Sequence, residues 1–281
     1  MHSAGVNGAA RGLVLTRVKR VAGVALIVVI LTFLVAPIFI VVPVSFGSER
    51  FLQFPPKDLT WRWYAEFFRD PEWRAATIFS LQVATLTALS ATVVGTLAAV
   101  ALVRGVHRAR RALTALMLSP IIVPNIVLGV ALYLSFAQVG ISGSLTGFVL
   151  AHTALSVPFV ILTVSAALHR VDPSLELAAI NLGANRFDAF RLITLPLIAP
   201  AVLVGALFAF LISFDEAVIS FFLSGVGTKT LPRKLFENID FDISPLIPAV
   251  ATILMSVSLV LMGAIQWINR MRSRSGASEG A

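Results

Sequence analysis

The sequence predicts an all-α membrane protein with six transmembrane helices. Two observations lead to this fold class. Of the 281 residues, 58% are hydrophobic and only 13% are charged, whereas a soluble domain carries roughly 25% charged residues. In addition, six apolar runs reach the length of roughly 20 residues that crosses a bilayer. These runs are residues 21–46, 76–103, 113–136, 146–168, 197–222 and 246–268.

The distribution of basic residues predicts how these spans are oriented. The first run follows a basic tail, residues 1–20, and is too long for a cleaved signal peptide, so we expect an uncleaved first span. Cytoplasmic segments are enriched in Lys and Arg. With the N-terminus inside, segments 1–20, 104–112, 169–196 and 269–281 hold fourteen of the 22 basic residues. Both tails, 1–20 and 269–281, are therefore expected in the cytoplasm.

Composition also excludes several kinds of site. The net charge of +8 comes from residues beside the apolar runs, which argues for membrane orientation and against nucleic acid. The chain has no cysteine, so neither disulfides nor thiolate metal sites can form. A glycine-rich stretch at 225–230 lacks the spacing of a phosphate-binding loop. We expect no catalytic residue, no bound cofactor and no metal site, since no ligand spacing relates the four histidines, His2, His107, His152 and His169.

The third and fourth predicted spans both contain proline. Pro120 and Pro124, the latter followed by Asn125, lie in the third span, and Pro158 lies in the fourth. Spans tolerate proline where neighbouring groups satisfy the freed backbone. These prolines are either packing kinks or points at which the spans flex, and we favour packing kinks.

The polar stretch between the fourth and fifth spans predicts two short helices. Asp172 suits a helix N-cap and Pro173 the first helical position. Gly183 offers the left-handed conformation that ends a helix. Asn185, with Asp188 three residues later, can cap a second helix. The chain therefore reads as helix, glycine turn and helix before the fifth span.

This stretch, residues 170–196, resembles the cytoplasmic coupling loop of permease subunits of bacterial ATP-binding-cassette (ABC) importers. The resemblance lies in the pattern Glu-x-Ala-Ala-x-x-x-Gly, continued by Ile-x-Leu-Pro. It implies the type I ABC importer (MetI-like) permease fold and a loop that docks on an ATPase. The implied ATPase-coupling residues are Glu176, Ala178, Ala179, Gly183, Ile193, Leu195 and Pro196.

The same resemblance implies the partners. A permease of this kind pairs with a homologous second permease, two copies of an ABC ATPase and an external substrate-binding protein. ATP and Mg are used by the ATPase, since this chain has no nucleotide site of its own. The expected location is the bacterial inner membrane, with the chain crossing it several times.

A second stretch, residues 213–254, is similar to the second permease subunit of spermidine/putrescine importers. The similarity implies a polyamine or related small cationic compound as substrate. Where that family often has Glu-x-Asn-Ala after Ser-Pro, this chain has Leu246-Ile247-Pro248-Ala249. Amino acid derivatives such as 4-aminobutyrate, and metal ions, therefore stay open as alternative substrates. An ATP-independent secondary transporter is a separate alternative. The residues that carry this similarity are Ser213, Asp215, Glu216, Val218, Ile219, Ser220, Leu231, Pro232, Ser244 and Pro245.

The acids of this stretch are the candidates for a substrate path. Asp215 and Glu216 are adjacent in an apolar run and are expected near the outer end of the fifth span, where an acid costs less than at the midplane. Consecutive residues diverge by about 100° on a helix, so the two should not behave alike. We favour Asp215 as the residue facing the path, because Ser213 and Ser220 on either side of it suit a bend that lines a cavity. A structural role of the two acids at an interfacial helix end stays open as the alternative.

Overall fold

The computed structural model describes residues 4–105, 109–225, 227–241 and 244–278. The basic residue Arg108 and the histidines His2 and His107 lie outside these ranges. Within them, every regular element is a helix. The helices are α1 (Ala4–Val44), α2 (Arg62–Arg69), α3 (Pro71–Val100), π1 (Ala101–Gly105), α4 (Arg110–Ile122), α5 (Asn125–Gln138), α6 (Leu145–Leu168), α7 (Pro173–Asn181), α8 (Arg186–Ala189), π2 (Phe190–Thr194), α9 (Leu195–Phe214), α10 (Val218–Leu223), α11 (Leu231–Phe241) and α12 (Leu246–Ser278).

The described residues contain five continuous helices that are long and apolar enough to cross a membrane, and one bent pair of helices that is either a broken sixth span or a re-entrant loop. The chain is thus an all-helical transmembrane protein, as the sequence predicts. The five continuous helices are Lys19–Val44, Pro71–Gly105, Leu145–Leu168, Arg186–Phe214 and Leu246–Ile268.

The third predicted span, 113–136, is not one continuous helix. It consists of α4 and α5, which are bent by 102° relative to each other. Val123 is extended (ψ 130°) and Pro124 precedes the first residue of α5. A proline disfavours the helical conformation of the residue before it and cannot donate its own N–H. Pro124 therefore breaks this span, whereas Pro120 and Pro158 lie inside unbroken helices, as packing kinks would.

The fifth predicted span, 197–222, ends earlier than expected. Helix α9 ends at Phe214 with Asp215 as its C-cap, and a separate short helix, α10, begins at Val218. The polar pair Asp215 and Glu216 thus lies in a break between two helices. The sequence prediction placed these acids within the run 197–222, near the outer end of the fifth span.

One of two compact units contains residues 1–64 and 244–252. Its aromatic cluster follows α1, where Phe46 contacts the rings of Trp61 and Tyr64. The indole N–H of Trp63 donates to the carbonyl of Gly47 at 2.7 Å. These contacts fix the segment between α1 and α2, which the isolated bridge between Gly47 and Leu59 also closes.

The other unit, residues 65–243 and 253–281, is built on α3, α6 and α9. Val160 of α6 lies between two glycines: a Cβ on Gly95 of α3 would approach Val160 Cβ to 2.6 Å, and one on Gly205 of α9 to within 3.7 Å. Small residues at such crossings allow close helix packing in membranes. The shared core consists of Ala91, Ala99, Val160, Val164, Ala167, Leu168, Ile198, Ala201 and Ala209.

Helix α11 packs against the start of α3. The N–H of Leu231 donates to Ser80 Oγ at 2.7 Å, and the ammonium group of Lys234 pairs with Glu72 and lies 5.1 Å from the ring centre of Trp73. Glu237 of α11 pairs both with Arg233 of the same helix and with Lys229, two residues before the helix begins. These ionic contacts attach an amphipathic helix to the end of the three-helix core.

Candidate functional site

The coupling segment, residues 170–196, begins with a capped helix. The carboxylate of Asp172 accepts from the N–H of Ser174 at 2.9 Å, and Pro173 is the first residue of α7. This N–H group also holds the pKa of Asp172 below its ordinary value. The predicted start of the first helix is confirmed.

The turn after α7 is made by a glycine in a conformation that other residues rarely adopt. Gly183 has φ +98°, and nothing lies within 4 Å of the position its Cβ would occupy. The side chain of Asn185 then accepts from the N–H of Asp188 at 2.8 Å and caps α8. The predicted glycine turn and second cap are both confirmed.

The segment joins the fifth span through a widened helical turn. Helices α8, π2 and α9 form one continuous helix from Arg186 to Phe214, and Pro196 lies at the start of α9. A proline within a helix removes one hydrogen bond and clashes with the carbonyl four residues earlier. Single π turns relieve such strain and occur often at functional sites.

Glu176 connects the coupling segment to two other elements. Its Oε1 accepts from Thr194 Oγ1 at 2.7 Å, and lies 3.5 Å from Arg104 Nε. Thr194 is the last residue of π2 and Arg104 belongs to π1. One oxygen of the Glu176 carboxylate therefore contacts both π1 and π2.

The coupling segment exposes large apolar side chains. The exposed fractions are 60% for Leu177, 89% for Leu182 and 67% for Phe187. No residue of α7 is buried. Exposed apolar patches on folded proteins mark interaction surfaces, so this face of α7 and α8 is suited to contact another protein.

The other residues predicted for coupling are distributed between this face and the core. Ala178, Gly183 and Pro196 are exposed, whereas Ala179 and Ile193 are half-buried. Leu195 packs against the core of α3, α6 and α9. The small alanines leave the backbone of α7 accessible.

The acids predicted for the substrate path lie in the break between α9 and α10. Glu216 is only 7% exposed. Its Oε1 accepts from the N–H of Ile219 at 2.9 Å, and its Oε2 accepts from Asn125 Nδ2 at 3.1 Å. Asn125 is the first residue of α5. The hydrogen bond between Asn125 and Glu216 therefore joins the two places where spans are broken.

Asp215 has the opposite environment. It is exposed, and its N–H closes the last turn of α9 on the carbonyl of Leu211. The two adjacent acids thus differ as the sequence predicts, since Glu216 is buried and Asp215 is exposed. The carboxylate of Asp215 is accessible to a solute, whereas that of Glu216 already accepts from two donors.

His152 of α6 holds the same break from another side. Its Nδ1 lies 2.8 Å from Ser213 Oγ and its Nε2 lies 3.4 Å from Ser220 Oγ. The hydroxyl of Ser220 also donates to the carbonyl of Glu216 at 2.8 Å. The fully buried imidazole bridges the end of α9 and the start of α10.

Beside the break is an apolar cavity of about 410 Å³ between α5, α10 and α11. Its walls include Ile126, Val218 and Phe222, and Arg233 and Glu237 lie at its edge. The cavity thus has mainly apolar walls and lies next to the break, because Ala217 and Val218 line it.

Sequence reasoning identified Glu176 and Glu216 but missed their partners. Arg104, Thr194 and His152 were assigned no role, and Asn125 was noted only as a neighbour of Pro124. Polar and ionisable residues inside apolar runs are expensive and often functional, and this signal could have identified His152 and Asn125. Among the described residues, no three His, Asp or Glu side chains come together as metal ligands.

The sequence is similar to those of known transport proteins. Residues 8–274 match the family described as binding-protein-dependent transport system inner membrane component. The spermidine/putrescine transport system permease protein PotC of Haemophilus influenzae is 36% identical over 246 residues, which cover 88% of this chain and 95% of that protein. The putrescine transport system permease protein PotI of Escherichia coli (strain K12) is 36% identical over 244 residues, covering 84% and 86%.

A solved structure shares the fold. One chain of a bacterial ABC transporter involved in the import of the acidic polysaccharide alginate aligns with a TM-score of 0.71 at 14% identity. The alignment covers 89% of this chain and 96% of that one.

Proposed function

The chain belongs to the family of binding-protein-dependent transport system inner membrane components, and we propose that it moves polyamines such as spermidine or putrescine into the cell. It is a permease subunit of an ABC importer. The observation that carries the polyamine proposal is the 36% identity, over more than four fifths of the chain, to two permeases named for putrescine. Membership in this family argues against the ATP-independent secondary transporter.

The geometry of the break between α9 and α10 supports a cationic substrate with an alkyl chain. We assign the attraction of an ammonium group to the exposed Asp215 and the shape of the break to Glu216. The adjoining cavity offers apolar walls such as Ile126 and Phe222, which suit the methylene groups between amines. Apolar walls with few placed polar groups are the usual make-up of a small-molecule site.

ABC importer permeases work with a second permease, an ATPase and a binding protein. For this chain we propose a heterodimer with a homologous permease, and two ATPase copies that use ATP and Mg²⁺. The exposed Leu177, Leu182 and Phe187 form the surface that contacts the ATPase. Both tails and the coupling segment lie in the cytoplasm in this proposal, as the excess of basic residues indicates.

In the transport cycle, closure of the ATPase dimer displaces the coupling segment, and the spans turn to open the path outward. Hydrolysis returns them to the inward state. This is alternating access by rigid-body movement around a fixed site. The permease contributes the path and the coupling segment, and the ATPase supplies the energy.

Reconstituted transport tests the substrate. The permease pair, the ATPase and the cognate binding protein are reconstituted in liposomes with ATP and Mg²⁺, and uptake of labelled putrescine, spermidine, 4-aminobutyrate and a divalent metal ion is compared. We expect ATP-dependent uptake of the two polyamines. Uptake of 4-aminobutyrate or the metal ion without polyamine uptake would replace the proposed substrate and leave the importer assignment intact.

A further inference from the structure

Helix α7 carries the docking face of the coupling segment, yet apolar packing does not hold it in place. None of its residues is buried. It is flanked by residues 169–172 and by the glycine turn at Gly183, where nothing lies within 4 Å of the position that a Cβ would occupy. A helix attached only by these two connections could move without moving the spans. Force transmission therefore needs a further attachment.

Arg104 supplies that attachment. Its Nη2 donates to the carbonyl of Val171 at 2.9 Å and lies 3.5 Å from that of Leu168, the last residue of α6. Carbonyls at a helix C-terminus lack intrahelical donors and attract cations. The guanidinium side chain is 20% exposed, so solvent competes with these contacts only in part. Arg104 thus joins the end of α3, through π1, to the end of α6.

The same guanidinium group reaches α7. Its Nε lies 3.5 Å from Glu176 Oε1, which also accepts from Thr194 Oγ1. Thr194 is 1% exposed and directly precedes α9. One arginine and one carboxylate therefore link α7 to the ends of α3, α6 and α9, the three helices that share the core.

We propose that Arg104 is a positioning residue for energy coupling, which fastens α7 through Glu176 to the ends of α3, α6 and α9 so that displacement of α7 moves these three spans together. This proposal rests on the proposed contact between α7 and the ATPase. The planar guanidinium group suits the role because it donates in several directions from one rigid fork. A lysine ammonium group in its place would reach one acceptor at a time and restore the link only in part.

Attachment of α7 can be measured without any transport. The chain has no cysteine, so two cysteines can be introduced in the same chain to carry spin labels. They replace Leu177 on α7 and Leu97 on α3, which are both exposed. The distance distribution is recorded by pulsed electron paramagnetic resonance in the detergent-solubilised permease. We expect a broader distribution in Arg104→Gln than in the parent. Arg111→Gln is the matched control, because Arg111 is an exposed arginine of α4.

Coupling is then measured in the full complex in liposomes, as ATP hydrolysed per solute imported. We expect this ratio to rise by about tenfold in Arg104→Gln, as for loss of one charge-assisted contact, and to recover partly in Arg104→Lys. In Arg104→Gln with Glu176→Gln we expect no further rise, because the two residues act as one unit. An unchanged distance distribution, an unchanged ratio, or additive effects in the double variant would each overturn the proposal.

The two measurements separate the failure of this inference from failure of the proposed function. If the parent complex shows no binding-protein-stimulated ATP hydrolysis, the importer function of this chain fails, whatever the distance distribution shows. If the parent transports and Arg104→Gln behaves like Arg111→Gln, only the proposed attachment of α7 through Arg104 and Glu176 is wrong.

Discussion

At the residue scale, the adjacent carboxylates of Asp215 and Glu216 have different environments and therefore different roles. Glu216 is 7% exposed and accepts from Asn125 and from the N–H of Ile219. Burying a carboxylate without partners is costly, so these donors are needed for the break to form at all. Asp215 is exposed and keeps its carboxylate available for a solute.

Replacement of each acid by alanine should separate these tasks. Glu216→Ala leaves the amide of Asn125 and the N–H of Ile219 without their acceptor, and we expect a loss of about 2 kcal/mol in unfolding free energy. Asp215→Ala should stay within about 0.5 kcal/mol of the parent. Thermal unfolding of the purified permease measures both. Equal unfolding temperatures for the two variants would show that the Asn125–Glu216 hydrogen bond does not stabilise the break.

Gly183 supports a second prediction at this scale. Since its surroundings are empty, the effect of a substitution comes from φ +98° alone. A β-branched residue there costs about 1–3 kcal/mol in backbone strain, so Gly183→Val should shift α7 and lower uptake by the reconstituted complex. Gly263→Val is the control, because Gly263 also has open space around it but no positive φ. Parent uptake in Gly183→Val would mean that the turn is not required.

At the element scale, the sequence predicts helices whose ends are set by local contacts. The caps at Asp172 and Asn185 and the turn at Gly183 depend on residues within three positions, and all three are confirmed. The break at Pro124 was missed, because Pro120, Pro124 and Pro158 look alike in sequence. Only Pro124 is preceded by an extended residue, and Asn125 beyond it meets Glu216 from a distant part of the chain. The contact between Arg104 and Glu176 was also missed, because these two residues are far apart in the sequence.

Helix α11 provides a pH-dependent prediction at this scale. The hydrogen bond from Lys229, with the nearby Arg233 and Lys234, holds the pKa of Glu237 below its ordinary value of 4.5. A carboxyl group whose pKa is lower in the folded state stabilises that state above its unfolded pKa and loses this effect as pH falls through the folded pKa. Stabilisation of α11 by Glu237 should therefore be complete near neutral pH and decline below about pH 4.5.

Amide hydrogen exchange of α11, corrected for the intrinsic pH dependence, measures this loss. We expect protection to fall with acidification in the parent and to be lower and nearly independent of pH in Glu237→Gln. Glu49→Gln, a change at an exposed glutamate outside α11, should behave as the parent does. Equal pH dependence in Glu237→Gln and the parent would assign the effect to another group.

At the scale of the whole molecule, six crossings place both tails on one side of the membrane, provided that α4 and α5 together cross once. A pair bent by 102° fits either one crossing or a loop that enters and leaves on the same side. The distribution of basic residues favours a crossing, because segments 104–112 and 169–196 contain four and three arginines, whereas residues 137–145 contain no Lys or Arg.

Cysteine labelling tests this topology, because the chain has no native cysteine. Single cysteines are introduced at exposed positions on each predicted side: Glu49 and Val139 outside, Ala109 and Asn181 inside. In intact spheroplasts we expect an impermeant maleimide to label the first two, and the other two only after permeabilisation. Exposure at all four positions makes access to the reagent depend on the side of the membrane and not on burial. If Val139 behaves like Ala109, the pair α4 and α5 is re-entrant and the chain crosses five times. If all four are reversed, the coupling segment lies outside, where no cytoplasmic ATPase could reach Leu182 or Phe187.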